Sequence, residues 1–215
     1  MEGNKSGIKY RIQWISNIIK HGLFWHGVRN NLAKIGLDFM PYYWVKEATE
    51  SLRAPEIRGD DKDFELSVFG KDEIAFIKHT IIGIEAKDLF ADLNNGEICL
   101  GLKNKGKIAA YMFIKRKPFV FRKRYFDLKS NESYLHSMYT FEDYRGKNIA
   151  PYLRYHSYKH LLKEGVDTFL SVSEYFNKST IRFKKKLNSK PIKLYLSIIL
   201  FQKWTFNFIL KDYSQ

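Results

Sequence analysis

The clearest chemical signal in this sequence is a tight loop that ends one strand and begins a helix. The residue pattern predicts three consecutive elements: strand Ser133–Phe141, loop Glu142–Lys147 and helix Asn148–Glu164. The first turn of such a helix presents free backbone N–H groups at the positive end of the helix dipole, which suits a pyrophosphate. Gly146 lets the backbone approach a ligand closely, and Arg145 and Lys147 add positive charge. The same spacing also fits an ordinary strand-to-helix turn.

Other sequence patterns that carry chemistry are weaker. No Walker A pattern and no GxGxxG pattern occurs, so neither of these common nucleotide-binding motifs offers an alternative interpretation of the loop. His156 and His160 are four residues apart on one predicted helix, but no cysteine or carboxylate cluster completes a metal site, so we expect no metal. Cys99 is the single cysteine, which excludes an intrachain disulfide and favours a reducing, cytoplasmic location.

The net charge predicts an anionic partner. The chain has 215 residues, of which 45% are apolar, and a formal net charge of +14, so it is long and apolar enough to bury a core. The positive charge lies near the start, in residues 101–129 and in residues 178–215. Residues 178–193 contain seven basic side chains and no acidic one, which fits an anion site as well as a solvated face.

The order of predicted elements indicates a mixed α/β fold. A basic helical extension is expected over 1–45, mainly as a helix over 7–36, followed by one domain over 46–215. The predicted order is strand 41–47, strand 64–69, helices 72–82 and 85–93, a hairpin 97–114, a basic aromatic link 116–129, the strand, loop and helix described above, strand 167–173, helix 177–187 and a final strand pair 192–210. The expected cytoplasmic location also rests on two absences: no apolar run of ~20 residues and no signal-peptide pattern.

The loop and this element order resemble the GNAT superfamily of acyl-CoA-dependent N-acyltransferases. The family's loop reads Arg/Gln-x-x-Gly-x-Gly/Ala; here Arg145 and Ala150 match it and Asn148 stands at the middle glycine. Asn177 begins the short helix after the next strand, where the family commonly has Asn. The resemblance covers residues 46–215 and implies a central mixed, mostly antiparallel twisted sheet flanked by helices.

The resemblance also implies a site for an acyl-CoA co-substrate, either acetyl-CoA or a longer acyl-CoA. Backbone groups of Met138 and Thr140 would hold the thioester carbonyl and the pantetheine arm, and Asn177 would face the pantetheine. The pyrophosphate would lie on backbone amides of the following loop residues: Arg145, Gly146, Lys147, Asn148, Ile149 and Ala150. The reaction would then be direct attack of an amine on the thioester.

Candidates for proton transfer are few. Period-two alternation places His136, Met138, Thr140 and Glu142 on one strand face, so His136 or Glu142 could act as the base. His136 could equally be a satisfied strand histidine, and Glu142 could simply favour the helix N-terminus. Tyr175, at the end of the next strand, is the candidate for protonating the CoA thiolate.

One family position departs from the usual pattern. The family's general-acid Tyr falls at Lys184, which we expect to be a solvated surface lysine with an ordinary pKa of about 10.4.

The acceptor is predicted from charge and aromatic content. Aromatic residues make up 16% of the chain, and many adjoin basic ones, a combination that suits a nucleotide-linked amino sugar. The basic N-terminal extension and the basic closing strands resemble those of GNAT members that act on amino sugars, and this resemblance implies an N-acyltransferase of surface polysaccharide biosynthesis. Alternatively, these aromatic residues form the core and a homodimer interface.

Three other functions remain open at this stage. One is a protein or small-amine acetyltransferase. Another is a membrane-associated enzyme, in which the N-terminal helix makes peripheral contact with a bilayer. The third is a basic nucleic-acid-binding protein without catalysis, which the resemblance does not favour, so no nucleic acid is expected as partner.

Overall fold

A computed structural model describes residues 24–48, 53–59, 63–81 and 88–214 of the chain. These residues form five α-helices, one 3-10 turn and ten strands. The helices are α1 (Phe24–Lys34), α2 (Lys71–Thr80), α3 (Leu89–Asn94), α4 (Ile149–Lys163) and α5 (Lys178–Lys185). The strands are β1 (Leu37–Glu47), β2 (Phe64–Val68), β3 (Ile98–Asn104), β4 (Lys107–Lys115), β5 (Phe119–Phe121), β6 (Arg124–Phe126), β7 (Glu132–Thr140), β8 (Thr168–Glu174), β9 (Lys190–Leu200) and β10 (Trp204–Asp212).

Eight of the strands form one central sheet in the order β10-β9-β1-β8-β7-β4-β3-β2. Every neighbouring pair is antiparallel except β7 and β8, which run parallel. Helices flank this sheet, so the predicted mixed, mostly antiparallel architecture is confirmed. The single parallel pair follows from the connection through α4, because two parallel neighbours need a crossover and a helix supplies it.

Strand β1 differs from its predicted role as the first strand of a domain that begins at residue 46. It spans Leu37–Glu47 and lies inside the sheet, between β8 and β9. Residues 37–45 therefore belong to the sheet and not to a helical extension. The reason is burial, because Met40, Tyr42 and Trp44 alternate along β1 and all pack into one core cluster. Of the predicted helix over 7–36, only α1 falls within the described residues.

Different elements pack on the two faces of the sheet. Helix α4 packs on one face over an apolar cluster that includes Met112, Leu135 and Leu153. Helices α2 and α3 pack on the other face of β3 and β4, against Phe113 and its neighbours. Further along that second face, the small β5–β6 ribbon covers the aromatic cluster of β1.

The β5–β6 ribbon lies in the segment that the sequence predicts as a link. Its two-residue turn consists of Arg122 and Lys123, both at positive φ (51° and 61°), so it lacks the glycine by which a hairpin is recognised in a sequence. Tertiary contacts hold the turn in place. Arg122 pairs with Asp38 of β1 at 2.7 Å, and its carbonyl accepts a hydrogen bond from the Asn207 side chain of β10.

Strands β7 and β8 separate soon after they meet. Their pairing is limited to Glu132–Tyr134 against Thr168–Leu170. Beyond Tyr134, β7 pairs only with β4, and β8 pairs only with β1. The parallel pair therefore opens into a V whose wide end points towards the loop between β7 and α4.

Among the described residues, no helix is both long and apolar enough to span a bilayer.

Candidate active site

A cavity of about 690 Å³ fills the opening between β7 and β8. Helices α4 and α5 contribute Ala150, Arg154, Asn177, Thr180 and Phe183 from one face of the sheet. From the other face come Met40, Asp92, Lys115, Phe119, Val120, Phe121 and His136. This cavity, the cleft, thus reaches both faces of the sheet. We call its two ends the helix side, next to α4 and α5, and the ribbon side, next to α3 and the β5–β6 ribbon.

The loop at the helix side has the backbone conformation that the sequence predicts for anion binding. Gly146 has φ +80°, and Asn148, which caps α4, is left-handed at φ 65° and ψ 21°. Asn is among the residues that tolerate this conformation, and here its side chain also donates a 2.8 Å hydrogen bond to the Glu56 carbonyl. The Arg58 amide donates to the Lys147 carbonyl at 2.9 Å, so residues 53–59 brace the loop.

The first-turn amides of α4 remain available to a ligand. Within the described residues, no amide from 146 to 150 donates to a carbonyl of a turn or loop. The helix itself offers these amides no acceptor either, because the amides of a first turn have no partner within the helix. A Cβ at Gly146 would meet no atom within 4 Å, so the loop surface there is open. The residues present therefore fit a pyrophosphate held by backbone amides.

Arg145 and Glu142 form an ion pair at the start of the loop. The guanidinium of Arg145 donates to Glu142 at 3.0 Å, to the Thr140 carbonyl at 3.2 Å and to the Tyr139 hydroxyl at 3.1 Å. Glu142 lies in the 3-10 turn after β7, with its side chain 81% exposed, and it is not among the residues that line the cleft. The pair fixes the turn at the end of β7, and the structure does not bring Glu142 beside His136.

The predicted placement of His136, Met138 and Thr140 on one face of β7 is wrong, because β7 contains a β-bulge. Residues 136 and 139 of β7 oppose residues 113 and 111 of β4, so β7 carries one extra residue, and Ser137 has φ 48°. His136 stacks on the Tyr134 ring at 5.2 Å on the ribbon side, whereas Met138 packs against the cluster under α4. Period-two alternation therefore fails across the bulge.

His136 belongs to a cluster of ionisable groups on the ribbon side of the cleft. Its Nε2 lies 2.7 Å from Glu97 Oε2, and the Lys115 ammonium lies 2.6 Å from the other carboxylate oxygen. Asp92 completes the group, since ligand atoms of Asp92, Glu97 and His136 all lie within 4.8 Å of one another. Such an arrangement can hold and pass a proton. The Lys115 ammonium already neutralises the Glu97 carboxylate, as a bound metal cation would otherwise do.

The two carboxylates in this cluster have opposite pKa shifts. Burial alone would raise the pKa of Glu97, but hydrogen bonds from His136 and Lys115 outweigh it and lower that pKa. Burial, reinforced by the neighbouring Glu97 carboxylate, raises the pKa of Asp92. Glu97 is therefore the charged partner of His136, and Asp92 is the carboxyl that accepts a proton more readily. The sequence analysis missed both acids, because Asp92 lies within a short helix, Glu97 precedes a strand, and neither belongs to a motif.

Tyr175 does not line the cleft. Its neighbour Glu174 does, but the Tyr175 ring faces a second cavity between α5 and β1, β8 and β9, where it contacts Tyr43 with ring centroids 5.6 Å apart. The strand alternation on β8 separates the two side chains. The structure thus does not bring the predicted thiolate acid to the thioester position.

Lys184 is buried, contrary to the predicted solvated lysine. Its side chain is 3% exposed, and its ammonium donates to Ser171 Oγ (2.7 Å), Ser173 Oγ (2.8 Å) and the Val172 carbonyl (2.9 Å). Burial lowers its pKa to about 8, although Glu47 opposes that shift. The sequence alone is misleading here because Lys184 lies in a run of basic residues, which usually indicates a solvated face.

Glu47 is the acceptor around which the buried charges gather. Arg154 Nε lies 3.0 Å and Lys184 Nζ 3.4 Å from its carboxylate, which also accepts hydrogen bonds from the Tyr158 hydroxyl (2.5 Å) and from Ser171. Burial would raise the pKa of Glu47, but Arg154, Lys184 and these hydroxyls together lower it. The cluster joins β1, β8, α4 and α5 behind the helix side of the cleft.

Comparison with known proteins identifies the family. The sequence profile of the Acetyltransferase (GNAT) family matches residues 70–188, which is more than half of the chain. The chain belongs to the GNAT acetyltransferase family. The matched residues include β3 to β8, α4 and α5, and leave out strand β1 with Glu47 and the bracing residues 53–59. No curated protein matches the chain by sequence.

Solved structures share the GNAT fold at low identity. An acetyltransferase of the GNAT family from Colwellia psychrerythraea superimposes with a TM-score of 0.55 and 16% identity, covering 80% of this chain and 60% of that one. A putative GNAT acetyltransferase from Novosphingobium aromaticivorans gives 0.53 and 15%, covering 75% and 64%. A GCN5-related N-acetyltransferase from Sphaerobacter thermophilus gives 0.52 and 12%, covering 85% and 56%. The chain thus spans about three fifths of these GNAT proteins.

Substitution of Glu47 tests the buried cluster. Glu47→Gln leaves Arg154 and Lys184 buried without a counter-charge, so we expect the free energy of unfolding to fall by about 3–5 kcal/mol at pH 7. Because the folded-state pKa of Glu47 lies below its ordinary 4.5, its contribution is present above pH 4.5 and is lost as the pH falls below that value. Urea unfolding from pH 3 to 7 measures both effects.

The acid dependence distinguishes a charge effect from a packing effect. Glu47→Gln should lose less stability than wild type between pH 4.5 and pH 3, because the titrating group is gone. Glu65→Gln, on the exposed part of β2, is the matched control and should leave the curve unchanged. Parallel acid curves for wild type and Glu47→Gln would contradict the assignment.

Substitution of Gly146 tests the phosphate loop. Gly146→Val places a β-branched residue at φ +80° and puts side-chain bulk where a phosphate would lie, so we expect acetyl-CoA binding to be abolished in calorimetry. Gly106→Val is the matched control: Gly106 has φ +79° in the β3–β4 turn and does not line the cleft. Unchanged acetyl-CoA affinity in Gly146→Val, with thermal unfolding like that of Gly106→Val, would remove the loop from the donor site.

Proposed function

We propose that this protein transfers an acyl group from acyl-CoA to the amine of a small acceptor by direct attack on the thioester. One observation carries the proposal. A single cleft runs from a phosphate-type loop on the helix side to an acid and base cluster on the ribbon side, through the point where β7 and β8 separate. A donor and an acceptor could therefore enter from opposite faces of the sheet and meet inside it.

The donor is proposed to lie along the separated part of β7. Pairing with β8 stops at Tyr134, which leaves one edge of β7 free of β8 over residues 135–140. Backbone groups of Met138 and Thr140 on this edge can hold the thioester carbonyl and the pantetheine, as an added strand would be held. Amides from Gly146 to Ala150 then take the pyrophosphate; the predicted Arg145 amide is not among them, because it donates to the Glu142 carbonyl at 3.0 Å. Asn177, whose side chain caps α5 by accepting from the Thr180 amide at 3.1 Å, lines the cleft beside the pantetheine.

The base is proposed to be His136, oriented by Glu97. With Nε2–H donating to Glu97, Nδ1 is the ring atom that accepts a proton, and it lies 3.1 Å from Ser137 Oγ at the bulge. The amine loses one proton to this nitrogen, directly or through the hydroxyl or a water, as its C–N bond forms. The C–S bond breaks, and the CoA thiolate takes a proton from solvent, since a thiolate is a good leaving group. Glu97 stabilises the imidazolium formed.

Variants of the acid and base cluster test this mechanism. We expect His136→Asn and Glu97→Gln each to lower kcat by roughly 10²-fold or less, because positioning still contributes most of the acceleration. The wild-type pH–rate profile should rise with one apparent pKa, as the amine or its base loses a proton. Steady-state thiol release across pH 6–9 measures both.

Tyr175→Phe is the control for this series, since its ring faces the second cavity. We expect its kcat to equal that of wild type. Complete inactivity of His136→Asn with unchanged substrate affinity would make His136 indispensable and overturn a mechanism dominated by positioning. Loss of activity in Tyr175→Phe would contradict its placement outside the reaction.

The acceptor is proposed to be a nucleotide-linked amino sugar of surface polysaccharide synthesis. Two features of the ribbon side support it. Phe119 and Phe121 line the cleft where a ring could pack, and the ribbon and its flanking segments carry most of the ten basic residues of 101–129, which suit a diphosphate. A second candidate, a small cationic amine, is favoured by Asp92 and Glu174, two acidic residues that also line the cleft.

Acceptor specificity separates these candidates. With a nucleotide-linked amino sugar as substrate, KM should rise with ionic strength, and the free amino sugar should have a far lower kcat/KM. Thiol release with acetyl-CoA and a panel of both acceptor types, at 50 and 300 mM salt, measures this. Equal kcat/KM with and without the nucleotide would exclude the nucleotide sugar and select the small amine.

A further inference from the structure

The second cavity lies on the far side of α5 from the cleft. Its volume is about 530 Å³, within the range of pockets that hold small molecules. Lys178, Arg182 and Lys185 face it from α5, at positions that lie on one side of a helix. Thr180 and Phe183, on the opposite side of the same helix, line the cleft. Among the described residues, Lys184 alone lines both cavities, and the rest of α5 separates them.

The wall opposite these three cations is aromatic. Tyr43 of β1, Tyr175 after β8 and Tyr213 after β10 line the cavity together. The Tyr43 ring lies 5.6 Å from that of Tyr175 and 6.4 Å from that of Tyr213, measured between centroids. Lys178 Nζ lies 4.8 Å from the centre of the Tyr175 ring. Three neighbouring rings, with a cation over the face of one of them, present a surface on which a flat heterocycle can stack.

The charge of this cavity is of one sign. Among the residues that the structure describes, no Asp or Glu lines it, while three exposed basic side chains do. Lys184 also lines the cavity but is buried on Glu47, whereas Lys178, Arg182 and Lys185 are exposed. Basic groups gathered at one rim without a counter-charge attract a multiply charged anion.

We propose that this cavity is a binding site for a nucleoside phosphate, separate from the acyl-CoA and acceptor positions. The base would stack on the tyrosines, and the phosphates would lie on Lys178, Arg182 and Lys185. A separate ligand is favoured over the nucleotide end of CoA itself, because the body of α5 stands between this cavity and the cleft. A ligand bound here contacts the helix whose other side forms the wall of the donor site.

Calorimetry on the full chain saturated with CoA tests the site, with ADP as the probe and inorganic pyrophosphate as the comparison. We expect ADP to bind in the presence of CoA and pyrophosphate to bind at least tenfold more weakly, because it has no ring to stack. Arg182→Glu should weaken ADP binding about tenfold or more, through the loss of a charge-assisted contact and the gain of repulsion. Tyr213→Ala should weaken it to a similar degree.

Lys186→Glu is the matched control, since Lys186 is exposed, adjoins the end of the same helix and does not line the cavity. It should leave ADP affinity within about twofold of wild type. Three results would overturn the proposal: no ADP binding to the CoA-saturated protein, equal affinity for pyrophosphate, or equal losses in Lys186→Glu and Arg182→Glu. Because binding is measured without an acceptor, the outcome is independent of whether the protein transfers acyl groups.

Discussion

The architecture of the site depends on the compensation of one buried carboxylate. Glu47 is 1% exposed, and an isolated charge at such a position would be very costly. It is kept charged by Arg154 from α4 and Lys184 from α5, with hydroxyls of Tyr158 and Ser171 completing its coordination. These partners come from three elements that border the cleft: Arg154 and Tyr158 from α4, Lys184 from α5 and Ser171 from β8. The charges are therefore satisfied only when β1, β8, α4 and α5 take the positions that form the helix side of the site.

In the same region, strands β7 and β8 separate while both remain part of the central sheet. Parallel pairing of β7 and β8 extends over only three residue pairs, yet both strands keep a complete partner on their other side, β4 and β1 respectively. The backbone groups released at the opening face a cleft where a ligand can use them. This gives the molecule a passage through its own sheet, with phosphate-binding geometry at one face and proton-transfer groups at the other.

Electrostatics divides the two faces further. The acids Asp92, Glu97 and Glu174 are found on the ribbon side, and all three lie close to a basic partner: His136, Lys115 or Arg29. On the helix side, the available groups are backbone amides of the loop before α4, whereas Lys178, Arg182 and Lys185 of α5 face the second cavity. The net charge of +14 is therefore not spread evenly. Basic residues gather on α5 and on the ribbon, whereas the acids Asp92 and Glu174 line the cleft.

The sequence by itself determined the local features. Period-two and helical patterns, with Gly146 and the cap at Asn177, were enough for the strand, loop and helix at the phosphate site and for the mixed sheet, because these depend on neighbouring residues. Only the tertiary structure decided that β1 lies between β8 and β9, that Asp92 and Glu97 meet His136, and that Lys184 is buried. Those contacts join residues that are distant along the chain. The bulge at Ser137 also belongs to this second group, since one extra residue in a strand leaves no mark in composition but reverses the face on which every following side chain lies.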